Sequence, residues 1–319
     1  MNTRGKKSRH LIKTLVAVGV ALFFFIVLLM SLYQNYDFLQ EQHMTFSPVQ
    51  FCLSLLPLVL SYLFIPSMWC SILGSLGVSL PYRKAFCIQY LSHLGRYIPG
   101  KIWTYIAQSY LASQAHVSLA ETLYSSTILM CLMNLSSLLV FALSFLAWDI
   151  FTFFIRLLLV SLSFLLICFL FRMHWLERGV NTLIARITRL STKLRCNSLC
   201  YTPLVIEAFL SWSVFAIGFH IMITSFYTIE TNKSLIIVGT FSISWLAGYY
   251  AFLVPGGLGI QEGIQVYMLA FFFPLPISIV IALASRLWMT LGDIIVFLLA
   301  AALTIQENRL QRSAHESYL

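Results

Sequence analysis

The chain has 319 residues, of which 60% are hydrophobic and 10% charged, and its mean hydropathy is +0.87. Soluble domains carry roughly 25% charged residues, so this composition excludes a soluble globule. It also excludes nucleic-acid binding as the reason for the net charge of +9, because no soluble domain exists to present that charge. What remains is an all-α fold: a polytopic membrane helical bundle, read here as one domain over residues 1–319.

Basic residues crowd the N-terminus at Arg4, Lys6, Lys7, Arg9 and Lys13. The uncharged run Thr14–Leu32 is longer than the 7–15-residue apolar core of a signal peptide and shows no small-residue cleavage site, so it reads as a retained first span, about Leu11–Tyr33. The following run has Asp37 and Glu41 but no Lys or Arg, whereas Arg172–Arg195 is again basic. The positive-inside rule then places both termini in the cytoplasm, with the plasma (inner) membrane as the expected location.

A spanning helix needs about 20 mainly apolar residues. The second span, about Val49–Leu73, contains Pro57 and Pro66, which predict kinks. Spans three and four, about Glu121–Ala147 and Ile150–Phe171, are joined by a tight outer turn at Trp148-Asp149. The fifth runs over about Pro203–Ile229 and the sixth over about Leu235–Val254. The seventh begins after a glycine run and ends near Phe273-Pro274-Leu275-Pro276, and the eighth covers about Ile277–Ile305 before a cytoplasmic tail at 306–319.

Two segments do not fit plain spans. Within the cytoplasmic segment 173–200, apolar residues recur at Leu176, Val180, Leu183, Ile187, Leu190 and Leu194, with Arg178, Arg186, Arg189 and Lys193 between them. That is a basic amphipathic helix lying on the inner leaflet, either an ordinary basic loop or a collector of anionic lipid. The stretch Leu80–Ala115 is polar, aromatic and interrupted at Pro99-Gly100; it predicts a helix, a break and a second helix that dips into the membrane and returns. A matching break at Pro255–Glu262 is expected to enter from the same side.

These two breaks carry the chemistry. Gly95–Lys101 fits most of the phosphate-loop pattern, but Ile102 stands where Ser or Thr would hold magnesium and no strand precedes it, so no nucleotide site is read here. Arg96 and Lys101 instead flank a helix break, where freed N–H groups and a helix N-terminus suit a phosphate. The bland alternative pairs Arg96 with a buried carboxylate, or lets both charges snorkel to the headgroups. Pro255, Gly256, Gly257 and Gly259, like Pro99 and Gly100, would shape a cavity.

Glu262 is either a helix-dipole partner worth about 0.3–1 kcal/mol, or a buried carboxylate that pairs with Arg96 or Arg286 or gates by taking a proton. Arg286 and Asp293 are seven residues apart on one face of the last span, too deep to face lipid. They form an internal ion pair with other helices or line the cavity. His220 and Arg156 are weaker candidates.

The seven cysteines show neither a disulfide framework nor metal-ligand spacing, and no catalytic constellation stands out. No cofactor or metal is expected.

Leu94–Trp103, Pro255–Glu262 and Arg286, in that order and spacing, resemble the lysylphosphatidylglycerol synthase transmembrane-region family, flippase-like membrane proteins. Where such proteins aminoacylate lipid they carry a C-terminal soluble transferase domain, and none follows here within the 319 residues. The resemblance implies a lipid translocase with a cytoplasm-facing cavity. Arg96, Lys101 and Arg286 would bind the phosphate of a phospholipid or polyprenyl-phosphate glycolipid, while Glu262 and Asp293 balance or gate charge. The expected partners are that anionic lipid, the bilayer and a separate lipid or glycan synthase. The competing readings are a membrane-embedded transferase acting on lipid-linked sugars, and an assembly factor for envelope polysaccharide synthesis.

Overall fold

Helix is the only regular structure among the described residues, as a hydrocarbon medium demands of any backbone that is not a closed barrel. The computed structural model describes residues 46–98, 102–148, 153–171, 201–251 and 254–316, with single positions at 30, 33, 179 and 182. The expected first span, the basic segment 173–200, Asp149 and the Pro99-Gly100-Lys101 tripeptide lie outside the described residues.

Helix α1 (Pro48–Ser75) opens with proline at its start and with the Ser47 hydroxyl accepting from Gln50 N at 3.5 Å. It stays continuous through Pro57 and Pro66. Pro66 offers no N–H to the carbonyl of Tyr62 and crowds it. That acceptor is taken instead by the hydroxyl of Tyr90 in α2 (Tyr82–His93). The flanking carbonyls are engaged as well. Ser61 O accepts from Ser211 Oγ of α6 (Tyr201–Thr224) at 2.9 Å, and Leu63 O from Tyr82 Oη at 2.9 Å. The proline thus docks α2 onto α1, and the neighbouring Ser61 carbonyl ties α6 to the same stretch.

Helix α3 (Ile102–Gln114) follows the first break, and α4 (Leu119–Ser144) starts in a capping box: Glu121 N donates to Ser118 Oγ at 3.3 Å and Ser118 N to Glu121 Oε2 at 2.8 Å. Helix α5 (Phe153–Phe171) stands where the fourth span is expected. Then come α6, α7 (Thr231–Tyr250), α8 (Ile260–Leu269) and α9 (Leu275–Glu316). The expected tail at 306–319 therefore begins as a continuation of the last helix. Helices α1, α4, α6 and α9, the last over Leu275–Glu307, are long and apolar enough to cross a bilayer. Their outer faces expose apolar side chains such as Leu53, Leu56 and Leu60, which need no cover in lipid.

Contacts at the two ends fix the topology. At one end Ser47 N donates to Ser225 O at 2.7 Å, Trp148 packs edge-on against Phe272 at 4.8 Å, and Lys233 lies over the Phe273 ring at 5.9 Å. At the other, where α9 finishes, Arg83 donates to Leu303 O at 3.2 Å and Gln306 Oε1 at 2.9 Å, and Lys84 pairs with Glu307 at 3.8 Å. Helices α2 and α3 therefore form a hairpin entering from the C-terminal face. At about 1.5 Å per residue they reach about 18–20 Å into a core of about 30 Å.

Helices α7 and α8 form a second hairpin, but it enters from the opposite face. With only 10 residues, α8 spans about 15 Å. This corrects two expectations: the helix of the seventh segment is too short for a full crossing, and the break enters from the side opposite to the first. The two breaks meet in mid-membrane, where Leu94–Tyr97 touches Pro255–Gly257.

If the Pro66-freed carbonyl anchors α2, Tyr90→Phe should lower stability by about 1–3 kcal/mol, the cost of an orphaned buried acceptor. Tyr82→Phe, at a half-exposed site, should cost less than half as much. Thermal unfolding of the detergent-solubilised variants checks the order.

Candidate functional site

Each break is tied to α9 by an ion pair, and the polarity alternates. From the first break Arg96 Nη2 pairs with Asp293 Oδ2, which also accepts from the Tyr97 hydroxyl at 2.9 Å. Arg96 Nη2 donates to Tyr97 Oη at 3.0 Å, and its Nη1 lies 3.0 Å from His93 Nε2. From the second break Glu262 Oε1 lies 3.4 Å from Arg286 Nη1. The same Nη1 donates to Gly256 O at 2.9 Å and to Gln261 Oε1 at 3.4 Å. Glu262 is 1% exposed, and its other oxygen accepts from Gly259 N at 2.6 Å, closing the first turn of α8. Of the alternatives open for Glu262, the pairing is with Arg286. Asp293 pairs not with its own helix neighbour but with Arg96.

The second break turns through left-handed backbone at Gly256 (φ +57°), Gly257 (φ +71°) and Gly259 (φ +79°). At Gly257 a side chain is also barred by space, since its Cβ would stand 2.8 Å from the Gly248 backbone. A Cβ at Gly256 would come within 2.9 Å of Arg286 Nη2 and 3.4 Å of the Tyr97 ring. Tyr97 is therefore the wedge between the two ion pairs.

Beside them lies a cavity of about 300 Å³. Arg96 and Arg286 face it, while Asp293 and Glu262 stand behind them and no carboxylate is among its described lining residues. His93, Thr290, Gln261 and Gly256 complete that end; Leu129, Met130, Met133, Met289, Phe215 and Phe241 make the remainder largely apolar. The structure thus brings Arg96, Arg286, Gly256, Glu262 and Asp293 to one place and puts Pro255, Gly257 and Gly259 in the turn that holds it. Lys101, Pro99 and Gly100 lie outside the described residues. His220 is elsewhere, with its Nδ1 2.7 Å from Ser234 Oγ, and the Arg156 side chain is outside the described set.

The sequence reading missed Tyr97, His93 and Gln89. Spacing carries a signal for two of them: Gln89, His93 and Arg96 recur at intervals of four and three, one face of a helix, and that face lines the cavity.

A bundle of apolar crossing helices, with two broken hairpins meeting at buried charge, defines a polytopic membrane protein with an intramembrane polar site. Residues 11–300 match the family model described as the lysylphosphatidylglycerol synthase TM region, and the chain belongs to that family. No curated protein matches the sequence.

Neutralising one member of a buried pair leaves the other uncompensated, at a cost of about 3–5 kcal/mol. Glu262→Gln should therefore destabilise the protein by that order, and adding Arg286→Gln should recover at least half of the loss. A double-mutant cycle by thermal unfolding measures the coupling, and additive losses would mean that the pair is not a unit.

Proposed function

We propose that this protein moves a phosphate-bearing lipid between the leaflets of the plasma membrane, with its C-terminal face in the cytoplasm. The observation that carries the reading is the placement of two guanidiniums at the head of an otherwise uncharged, aromatic and methionine-lined cavity at mid-bilayer depth. Charge at such depth is costly and usually functional. Arginine suits phosphate because it offers several N–H donors in a planar fork. Every hydrogen bond of Arg286 to described residues leaves from Nη1, so Nε and Nη2 remain for a ligand. The apolar remainder of the cavity accepts the first part of an acyl or prenyl chain. Arg83, Lys84 and Arg309 gather at the C-terminal face, which supports the cytoplasmic assignment by the positive-inside rule. The family name, lysylphosphatidylglycerol synthase TM region, is consistent with a substrate that carries a lipid phosphate.

The test uses the Arg286→Gln/Glu262→Gln double variant, which removes the guanidinium without stranding a carboxylate. Native mass spectrometry of the gently extracted wild type should show a specific phosphate-bearing lipid that the folded double variant lacks. In proteoliposomes, movement of that lipid between leaflets should fall at least about tenfold in the variant, the effect of losing one charge-assisted contact worth about 1.5–3 kcal/mol. Identical lipid retention and identical transport in both proteins would overturn the reading.

A further inference from the structure

The cavity holds polar groups that the ion pairs do not explain. Four side chains from four different helices reach it with unpartnered buried atoms. They are Tyr62 Oη of α1, Gln89 Nε2 of α2, Gln108 Nε2 of α3 and Trp212 Nε1 of α6. Gln108 is 3% exposed, Trp212 6% and Tyr62 9%. Gln108 is held in place by Ser126 Oγ, 3.0 Å from its Oε1. Buried polar atoms are nearly always hydrogen-bonded, and a native protein that keeps several unpaired in one place calls for an explanation.

Their chemistry is specific. A phenol, two carboxamides and an indole N–H are all uncharged; the amides and the phenol both donate and accept, and the indole donates. Trp212 also stands edge-on to Trp245 at 5.8 Å, and Trp245 stacks on Tyr249 at 5.9 Å and 19°, giving an aromatic wall next to the polar groups. Water or a bound ligand can take these hydrogen bonds. A ligand that displaces the water without returning the bonds loses affinity, and a site built to bond hydroxyls rejects an analogue that lacks them.

We infer that the headgroup carried by this cavity is a compact, uncharged polyhydroxyl group, a sugar or a polyol, joined to the lipid through the phosphate held by the arginines. The inference rests on the translocase reading and names its substrate class. An ammonium headgroup fits worse, because no carboxylate is among the described residues facing the cavity, and an ammonium has no oxygen to accept from Gln108, Gln89 or Trp212. The cavity lies at the small end of ligand pockets, which suits one ring rather than an oligosaccharide.

The test is competitive lipid binding to the purified full chain, read by native mass spectrometry. Four probes compete: phosphatidylinositol, a polyprenyl-phosphate hexose, phosphatidylethanolamine and phosphatidylcholine. At least one polyhydroxyl probe should exceed both ammonium probes about tenfold in occupancy, and which of the two leads separates a glycerolipid source from a prenyl source. Gln108→Leu and Gln89→Leu should each cut that preference about fivefold, as one lost hydrogen bond predicts, while leaving the ammonium lipids unchanged. Equal occupancy of all four, or a lead for phosphatidylcholine, with binding still lost in the Arg286→Gln/Glu262→Gln variant, would overturn the headgroup inference and leave the phosphate reading standing. Binding indifferent to that double variant would overturn both.

Discussion

The molecule depends on cancelling charge in the middle of a membrane. Helix α9 carries a cation and an anion, Arg286 and Asp293, seven residues and thus about 10 Å apart. A charge left alone at the bilayer centre costs at least about 2.5–3.5 kcal/mol. Each is matched by a break of opposite sign: Glu262 comes to Arg286 and Arg96 to Asp293. Because the signs alternate, the two hairpins are not interchangeable. Placing either at the other's position would set like charges together. The pairing therefore selects which hairpin lies at which depth, and the spacing on α9 sets the distance between them.

The same economy governs the backbone. A break in hydrocarbon frees N–H and C=O groups that need partners, and here side chains supply them. Arg286 takes Gly256 O, Glu262 takes Gly259 N, and Tyr90 takes the carbonyl that Pro66 releases in α1. Two of these partners are members of the charge network, so one residue neutralises a charge and completes a turn at once. Such double use holds the breaks rigid: losing the ion pair would also open the turn. Small residues then let the elements close up, as where Gly218 of α6 lies so near α1 that a Cβ would stand 2.9 Å from Ser54 O.

Much of this is legible in the sequence, for physical reasons that differ by element. Long uninterrupted apolar runs gave α1, α4, α6 and α9 directly, because nothing but a helix crosses lipid alone. The Pro-Gly interruptions marked both breaks, and Arg96, Glu262, Arg286 and Asp293 stood out as charges no lipid would accept. The sidedness of the second hairpin was hidden. The apolar sequence continues from Val266 past the end of α8 through Phe271-Phe272-Phe273, so the segment imitates a full crossing although its helix has only 10 residues. Pairing was hidden too, since Arg96 and Asp293 lie 197 positions apart and any cation could in principle meet any anion. Gln108 gave no warning, because one amide in an apolar helix has no periodicity.

The internal pairing bears directly on the transport proposed for this cavity. A bare pair of arginines in a low-dielectric cavity would hold a phosphate so strongly that release would limit the cycle. Here each guanidinium already has a carboxylate behind it, so the charges of the four-residue cluster cancel within the protein. On the proposed reading, a phosphate would be drawn by oriented N–H donors rather than by a full unbalanced charge, and would be correspondingly easier to release. Discrimination among lipids would then fall to the neutral groups proposed to meet the headgroup, where each hydrogen bond would shift preference without trapping the substrate. On that proposal, binding strength and selectivity fall to different walls of one cavity, and a change to either wall need not alter the other.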